Sequence, residues 1–315
     1  MRGVQRELFR RHPANPILAS ADWPYPVNAV FNPAAADLDG ETVLLARVET
    51  LTGVSHLTVA RSENGVDGWS VAEEPLLAPA DGVESEQWGF EDPRVVWLDE
   101  LGCWVITCTA YGPAGPAVYL ATTVDFSSVE RHGIVKQPED KNAALLPARV
   151  NGKWILFHRP MTAFGGSRGE IEISRSTDLE SWSAPEQVLQ PRNGAWWDSL
   201  RIGIGPPPLK TERGWLVIYH GVKETVAGAI YRVGLALTDL DEPTRVLGRA
   251  SDWVFGPLAP YERQGDVPNV VFPCGIVHDH ELGEVRLYYG AADTSICLAT
   301  ARIDELLDAI EPFVT

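Results

Sequence analysis

LTVARSENGVDGW at 57–69, VYLATTVDFSSVE at 118–130, IEISRSTDLESW at 171–182, VGLALTDLDEPT at 233–244 and ICLATARIDELL at 296–307 are five versions of one pattern. Each is an alternating apolar run, then Ala or Ser, two residues that include a Ser or Thr, and an Asp-bearing turn. Aligned on Ala60, Ala121, Ser174, Ala236 and Ala299, the copies are 61, 53, 62 and 63 residues apart. A recurrence of this length marks a repeat architecture. The period-2 alternation makes each unit a small antiparallel sheet.

Five such units use up all 315 residues. The expectation is an all-β chain, a five-bladed β-propeller forming a single domain over 1–315, whose inner strands line a central channel. A β-sandwich of similar strands is the alternative. Residues 1–26 read as an arm that closes the ring or packs along it, since Pro13, Pro16, Pro24 and Pro26 forbid a long helix. Only Ile303 to Ile310 carries helix-like spacing.

Composition narrows the function. The 43 acidic side chains outnumber the 26 Lys and Arg, giving a net charge of −17, which argues against nucleic acid or an anionic membrane as partner. The N-terminus lacks a secretory pattern and no run of 18 apolar residues occurs, so a cytoplasmic protein is expected. Cys103, Cys108, Cys274 and Cys297 lack metal-site spacing and read as buried free thiols. No metal cluster is expected, and His278 with His280 reads as a solvated hairpin pair. Among eleven tryptophans, Trp69 and Trp182 follow repeat turns and suit packing between units. Trp88, Trp196 and Trp197 sit in Gly-bearing loops and suit either packing or stacking on a sugar ring.

An acidic protein that uses an anionic ligand has to gather its few cations locally. Candidates fall where strands meet loops in successive units. FNPAA and LLARVE offer Asn32 and Arg47. WGFEDPRVVW offers Glu91 and Asp92, where neighbouring carboxylates beside a guanidinium separate in pKa and could hold one as a general acid. An ordinary acidic turn is the plain alternative. KNAALLP and FHRP supply Lys141, Asn142 and Arg159, with His158 alongside. WWDSLRIGIGPPP and IYHG supply Arg201 and His220. Cations, an amide and a histidine at one channel mouth would hold a dianion such as phosphate. YERQG offers Glu262, and LYYGAAD offers Asp293, a carboxylate suited to sugar hydroxyls.

The ordered series FNPAA, GFEDPR, KNAALLP, LFHRP, RIGIGPPP, GWLVIYHG, YRVGLALTDLDEP, PNVVFPCG and YYGAAD resembles glycoside hydrolase family 130, from Asn32 to Asp293. The resemblance implies a five-bladed propeller acting on β-mannosides, and an inverting, transferase-type phosphorylase that yields α-mannose 1-phosphate. It implies Asp92 as the catalytic acid, acting through a mannose hydroxyl. It places phosphate at Lys141, Asn142, Arg159, Arg201 and His220, and the sugar at Asn32, Arg47 and Asp293; Glu91, Tyr231 and Glu262 join them as candidate substrate contacts read from the sequence. Phosphate is then a co-substrate and no cofactor is expected. Phosphorylases of the family often have Arg where this chain has Lys141 and Lys where it has Arg201; positive charge is kept at both. The alternatives are an inverting β-mannosidase, with Glu262 or another channel carboxylate activating water, and a noncatalytic glycan-binding propeller. A homo-oligomer joined through the arm is left open.

Overall fold

The structure, a computed structural model, describes residues 7–161 and 169–313. Two short strands lead the chain, β1 (Arg10–Arg11) and β2 (Leu18–Ala19). Five antiparallel meanders follow. The first holds β3 (Ala29–Leu38), β4 (Glu41–Glu49), β5 (Ser55–Ser62) and β6 (Ser70–Val71). The second holds β7 (Gly89–Leu98), β8 (Cys103–Gly112), β9 (Gly115–Thr123) and β10 (Glu130–Lys136). The third holds β11 (Asp140–Leu145), β12 (Trp154–Pro160), β13 (Ile171–Ser176) and β14 (Glu186–Leu189). The fourth holds β15 (Arg201–Ile204), β16 (Leu209–Thr211), β17 (Gly214–Thr225), β18 (Gly228–Thr238) and β19 (Val246–Arg249). After a single helical turn, α1 (Pro260–Arg263), the fifth holds β20 (Val271–Asp279), β21 (Glu284–Ala291) and β22 (Ser295–Arg302). The chain ends in α2 (Ile303–Asp308) and β23 (Glu311–Pro312).

The repeated stretch is β5, β9, β13, β18 and β22 with the turns that follow. Its Ser or Thr has a physical purpose in three copies. Ser62, Thr123 and Ser176 each accept a bond from the backbone N–H three residues on, at 3.0, 2.9 and 2.9 Å. A hydroxyl at that place satisfies a donor that the turn would otherwise orphan. By hydrogen bonding there are four sheets rather than five, because one parallel bridge, Ser55 to Gly89, joins the first two meanders.

Apolar side chains from each meander interdigitate with the next. Val43 and Leu45 meet Ile106 and Tyr119, and Leu98 and Leu120 meet Trp154 and Leu156. Phe157 and Ile173 meet Val217 and Trp215, and Leu216 and Leu235 meet Leu287 and Ala299. Leu44 and Ala46 of the first meander then meet Tyr288 and Leu298 of the fifth, so the last unit packs on the first. The N-terminal arm joins that closure: β1 and β2 both pair with β22. Asn15 fastens the arm further, exchanging two 2.8 Å bonds with the backbone of Leu298.

The four cysteines are unpaired thiols, with Cys103 only half-buried and the rest buried. Trp69 and Trp182 are half-buried and pack on the clusters beside their meanders. His278 differs from the solvated reading: it is half-buried, with its ring 4.0 Å from that of His280. No helix among the described residues is long and apolar enough to cross a membrane.

Candidate active site

Three of the meanders begin with the same local irregularity. The pairing register slips between Phe31 and Ala34 in β3, between Glu91 and Arg94 in β7, and between Lys141 and Ala144 in β11. Inside each slip stands an Asn or Asp in the left-handed region: Asn32 at φ 46°, Asp92 at φ 49° and Asn142 at φ 53°. These residue types tolerate that conformation better than any other side chain, and a bulge re-aims the side chain it carries. The result is a polar group from each of three strands directed at one cavity of about 250 Å³.

Eleven of the twelve residues singled out from the sequence line that cavity: Asn32, Arg47, Glu91, Asp92, Lys141, Asn142, Arg159, Arg201, His220, Tyr231 and Asp293. It divides in two. The acidic half comes from the first, second and fifth meanders. Asp92 Oδ1 accepts from Asn32 Nδ2 at 2.8 Å and from Arg47 Nη1 at 3.2 Å, while Arg47 Nη2 donates to Glu91 at 3.0 Å. Arg94, buried and outside the cavity lining, ties the Asp92 carbonyl (2.5 Å) to the carbonyls of Gly205 (3.0 Å) and Ile204 (3.2 Å). Gly290 has to be a glycine, since a Cβ there would collide with the Asn32 side chain.

The cationic half comes from the third and fourth meanders. With its amide oriented as the surrounding donors require, Asn142 accepts from both terminal nitrogens of Arg159, at 3.1 and 3.2 Å. Arg159 Nη1 reaches His220 Nε2 at 3.4 Å, so this nitrogen is the acceptor and Nδ1 carries the proton. Arg201 donates to the Tyr231 hydroxyl at 2.6 Å. Arg159 Nε and His220 Nδ1 are buried donors with no hydrogen-bond partner among the described residues. Such orphans are costly unless a ligand completes them.

Behind these cations a buried chain of bonds braces the strands. His158 Nδ1 meets Asp140 at 2.6 Å, His158 Nε2 meets Ser174 Oγ at 2.9 Å, and Lys136 donates to the same hydroxyl at 3.0 Å. Asp140 and His158 immediately precede Lys141 and Arg159, which pair directly across β11 and β12.

Charge states follow from the geometry. Burial alone would raise the Asp92 carboxyl, but Arg47, Arg94, Lys141 and the Asn32 bond outweigh it and hold it below the usual aspartate range. Asp293 goes the other way: burial, and then the charge of Asp92, push it up to about 7 in spite of Arg47. Burial lowers Lys141, with Arg159 adding to the effect. Burial and the neighbouring Arg201 bring even Arg159 down to about 10. His220 is held neutral by burial and by Arg159, Arg94, Arg201 and Lys141. The cationic half repels itself, a situation that a bound anion relieves.

Glu262 does not belong to this site. It is 0% exposed at α1, and its oxygens accept from Arg11 Nε (2.8 Å) and Nη2 (2.9 Å), Tyr289 Oη (2.8 Å) and the N–H groups of Leu258 (2.7 Å) and Ala259 (2.9 Å). Five bonds leave it no capacity for a sugar hydroxyl or a water. Nor do Trp88, Trp196 and Trp197 line the cavity; Trp197 is packed on Tyr219. The sequence reading missed Met161, Val267, Val270 and Phe272, which form the apolar wall. Phe272 lies in the quoted VVFPCG stretch but carries no chemistry that would single it out. A wider groove of about 630 Å³ adjoins at Met161, walled by Pro138, Pro160, Pro185 and Trp182, with Lys136, Glu139 and Asp140 but no arginine or histidine among the described residues.

The family model of beta-1,4-mannooligosaccharide phosphorylases matches residues 9–312. The Beta-1,4-mannooligosaccharide phosphorylase of Ruminococcus albus is 33% identical over 313 residues, 97% of this chain and 92% of the relative. The Beta-1,2-mannobiose phosphorylase of Listeria innocua is 36% identical over 261 residues, 83% of this chain and 70% of the relative. Among solved structures, the Listeria innocua Beta-1,2-mannobiose phosphorylase with beta-1,2-mannobiose superposes at a TM-score of 0.87 and 30% identity, over 96% of this chain and 99% of that one.

Proposed function

Because this chain belongs to glycoside hydrolase family 130, we propose that it is an inverting phosphorylase that cleaves β-mannosides with inorganic phosphate and releases α-mannose 1-phosphate. The observation that carries this reading is the division of one cavity into an acidic and a cationic half. The nonreducing mannose lies against Asn32, Arg47, Glu91, Tyr231 and Asp293, and phosphate lies against Lys141, Asn142, Arg159, Arg201 and His220. Phosphate is already an anionic nucleophile, so a second carboxylate to activate water is not required. The Glu262 that a hydrolase would recruit is engaged elsewhere.

Asp92 is the acid, and its depressed pKa sets a condition on it. Lys141 is one of the charges that keep it ionised. A phosphate anion against Lys141, Arg159 and Arg201 cancels part of that positive potential, so Asp92 takes up its proton as the co-substrate arrives. It then delivers the proton toward the leaving oxygen through a mannose hydroxyl. Arg47 and Asn32 fix the carboxyl while this happens. The five meanders are the blades of a five-bladed propeller in one domain, with the cavity at its channel mouth. The four unpaired thiols suit a cytoplasmic setting.

The test is incubation with a panel of β-mannobiosides, with and without phosphate, reading mannose and mannose 1-phosphate separately. The expected result is mannose 1-phosphate formed only with phosphate. Free mannose released equally well in both conditions would overturn the reading.

A further inference from the structure

The long β17–β18 hairpin separates two cavities. Tyr231 lines the catalytic one, whereas its neighbours Ile230 and Arg232 line a second of about 350 Å³, as the alternation of a strand requires. Three tryptophans, Trp196, Trp197 and Trp253, converge there with Lys223, Arg232 and Asp252. Nothing in the phosphorylase reading uses this place.

Trp196 is 39% exposed and rests on one side against a cation that is itself fixed. The Arg192 guanidinium lies 4.1 Å from its ring centroid. Arg192 is itself locked: Nε meets the two Asp198 oxygens at 2.9 and 3.1 Å, Nη2 meets Oδ2 at 2.9 Å, and Nη1 donates to the Ser251 carbonyl at 2.9 Å. Asp198 is wholly buried and also accepts from Arg249 at 2.8 Å and from Tyr219 at 3.0 Å. The next residue, Trp197, stacks on Tyr219 with centroids 5.8 Å apart and donates to the Ser251 carbonyl at 3.2 Å. These bonds fix the guanidinium on which the exposed indole rests.

Polar groups surround that indole. Lys223 spends one donor on the Ala195 carbonyl at 3.2 Å and retains others. Arg232 sits 5.3 Å from the Trp253 ring centroid and forms no ion pair among the described residues. Asp252 is exposed and supplies an acceptor. An exposed aromatic face ringed by donors and a carboxylate suits a pyranose, whose C–H face stacks and whose hydroxyls bond in both directions. An inorganic anion would leave the indole unused.

We propose that this cavity is a secondary glycan site, outside the catalytic cavity, that holds sugar units of β-mannoside chains. The choice of mannoside rests on the function proposed above. Binding there raises the local concentration of long substrates beside the catalytic cavity and leaves disaccharides unaffected.

The experiment compares β-mannobiose with β-mannohexaose, in both the 1,2- and 1,4-linked series. Binding is titrated in an Asp92→Asn background, where turnover is disabled, with and without Trp196→Ala. Phosphorolysis is measured for wild type and the single Trp196→Ala variant. Loss of the stacking face should weaken hexaose binding and raise its KM by roughly five- to tenfold, with mannobiose kinetics unchanged. Arg232→Gln, which spares the indole and its bracing, should weaken hexaose binding in the same direction. Hexaose affinity untouched by either change, or mannobiose kinetics falling in parallel, would remove the site. Trp196-dependent hexaose binding by a protein that makes no mannose 1-phosphate would refute the phosphorylase reading and leave the site standing.

Discussion

At the scale of single residues, the two aspartates of the cavity, Asp92 buried and Asp293 half-buried, answer pH with opposite sign. The folded chain holds Asp293 at about 7 against an ordinary value of 3.8, so it binds a proton that the unfolded chain gives up. That contribution to stability is complete below about pH 4 and is lost as pH rises through about 7. Asp92, held below its ordinary value, stabilises above that value and ceases to as pH falls through its folded pKa. Asp293→Asn should therefore flatten the decline of Tm between mildly acidic and neutral pH, and an unchanged slope in melting curves would exclude Asp293 as its source. Asp92→Asn should cost roughly 10²- to 10⁴-fold in kcat, with mannoside binding retained by titration. Arg159→Ala should raise the KM for phosphate by about one to two decades, the value of one charge-assisted contact. A phosphate KM unaltered in that variant would take Arg159 out of the anion site.

At the scale of the element, the third meander braces two cations through His158 and Ser174, neither of which lines the cavity. His158 bridges Asp140 and Ser174, and each of its strands carries a cation one residue further on. His158→Gln should raise the KM for phosphate about fivefold, as one bond of about 1 kcal/mol implies, while the KM for mannoside stays put. Equal movement of both constants would mean general loosening of the sheet. This scale also explains what the sequence disclosed. FNP, EDP and KNA were legible because a left-handed bulge in a strand demands Asn or Asp, so chemistry and backbone geometry selected the same positions. The repeat was legible because its Ser or Thr satisfies the same turn donor in each of three units. Glu262 misled because an acid in a loop looks free, and the arginine that engages it lies 251 residues away in sequence. The apolar wall of Met161, Val267, Val270 and Phe272 left no trace, since an apolar residue facing a ligand cannot be told by type from one facing the core.

For the whole molecule, closure is where a chain of five similar units is weakest, because the last interface joins segments far apart in sequence and forms only after the loop closes. Here the N-terminal arm clasps it. Arg11 donates to Glu262 at 2.8 and 2.9 Å and to Glu7 at 2.6 Å, and its guanidinium lies 4.4 Å from the Phe255 ring centroid. Burial disfavours its charge, but the two glutamates more than restore it. Arg11→Ala would strand the fully buried Glu262 carboxylate, and breaking a buried pair from one side costs about 3 to 5 kcal/mol. Glu262→Gln is the sharper test, because it separates a clasp from a sugar contact. A clasp predicts a lower Tm with the mannoside KM unchanged, as the amide keeps some bonds but loses the charge that Arg11 requires. A raised mannoside KM with Tm intact would instead return Glu262 to the substrate. Saturating phosphate should raise Tm in both variants by the same increment as in wild type, since the proposed anion site draws on the third and fourth meanders and not on the arm.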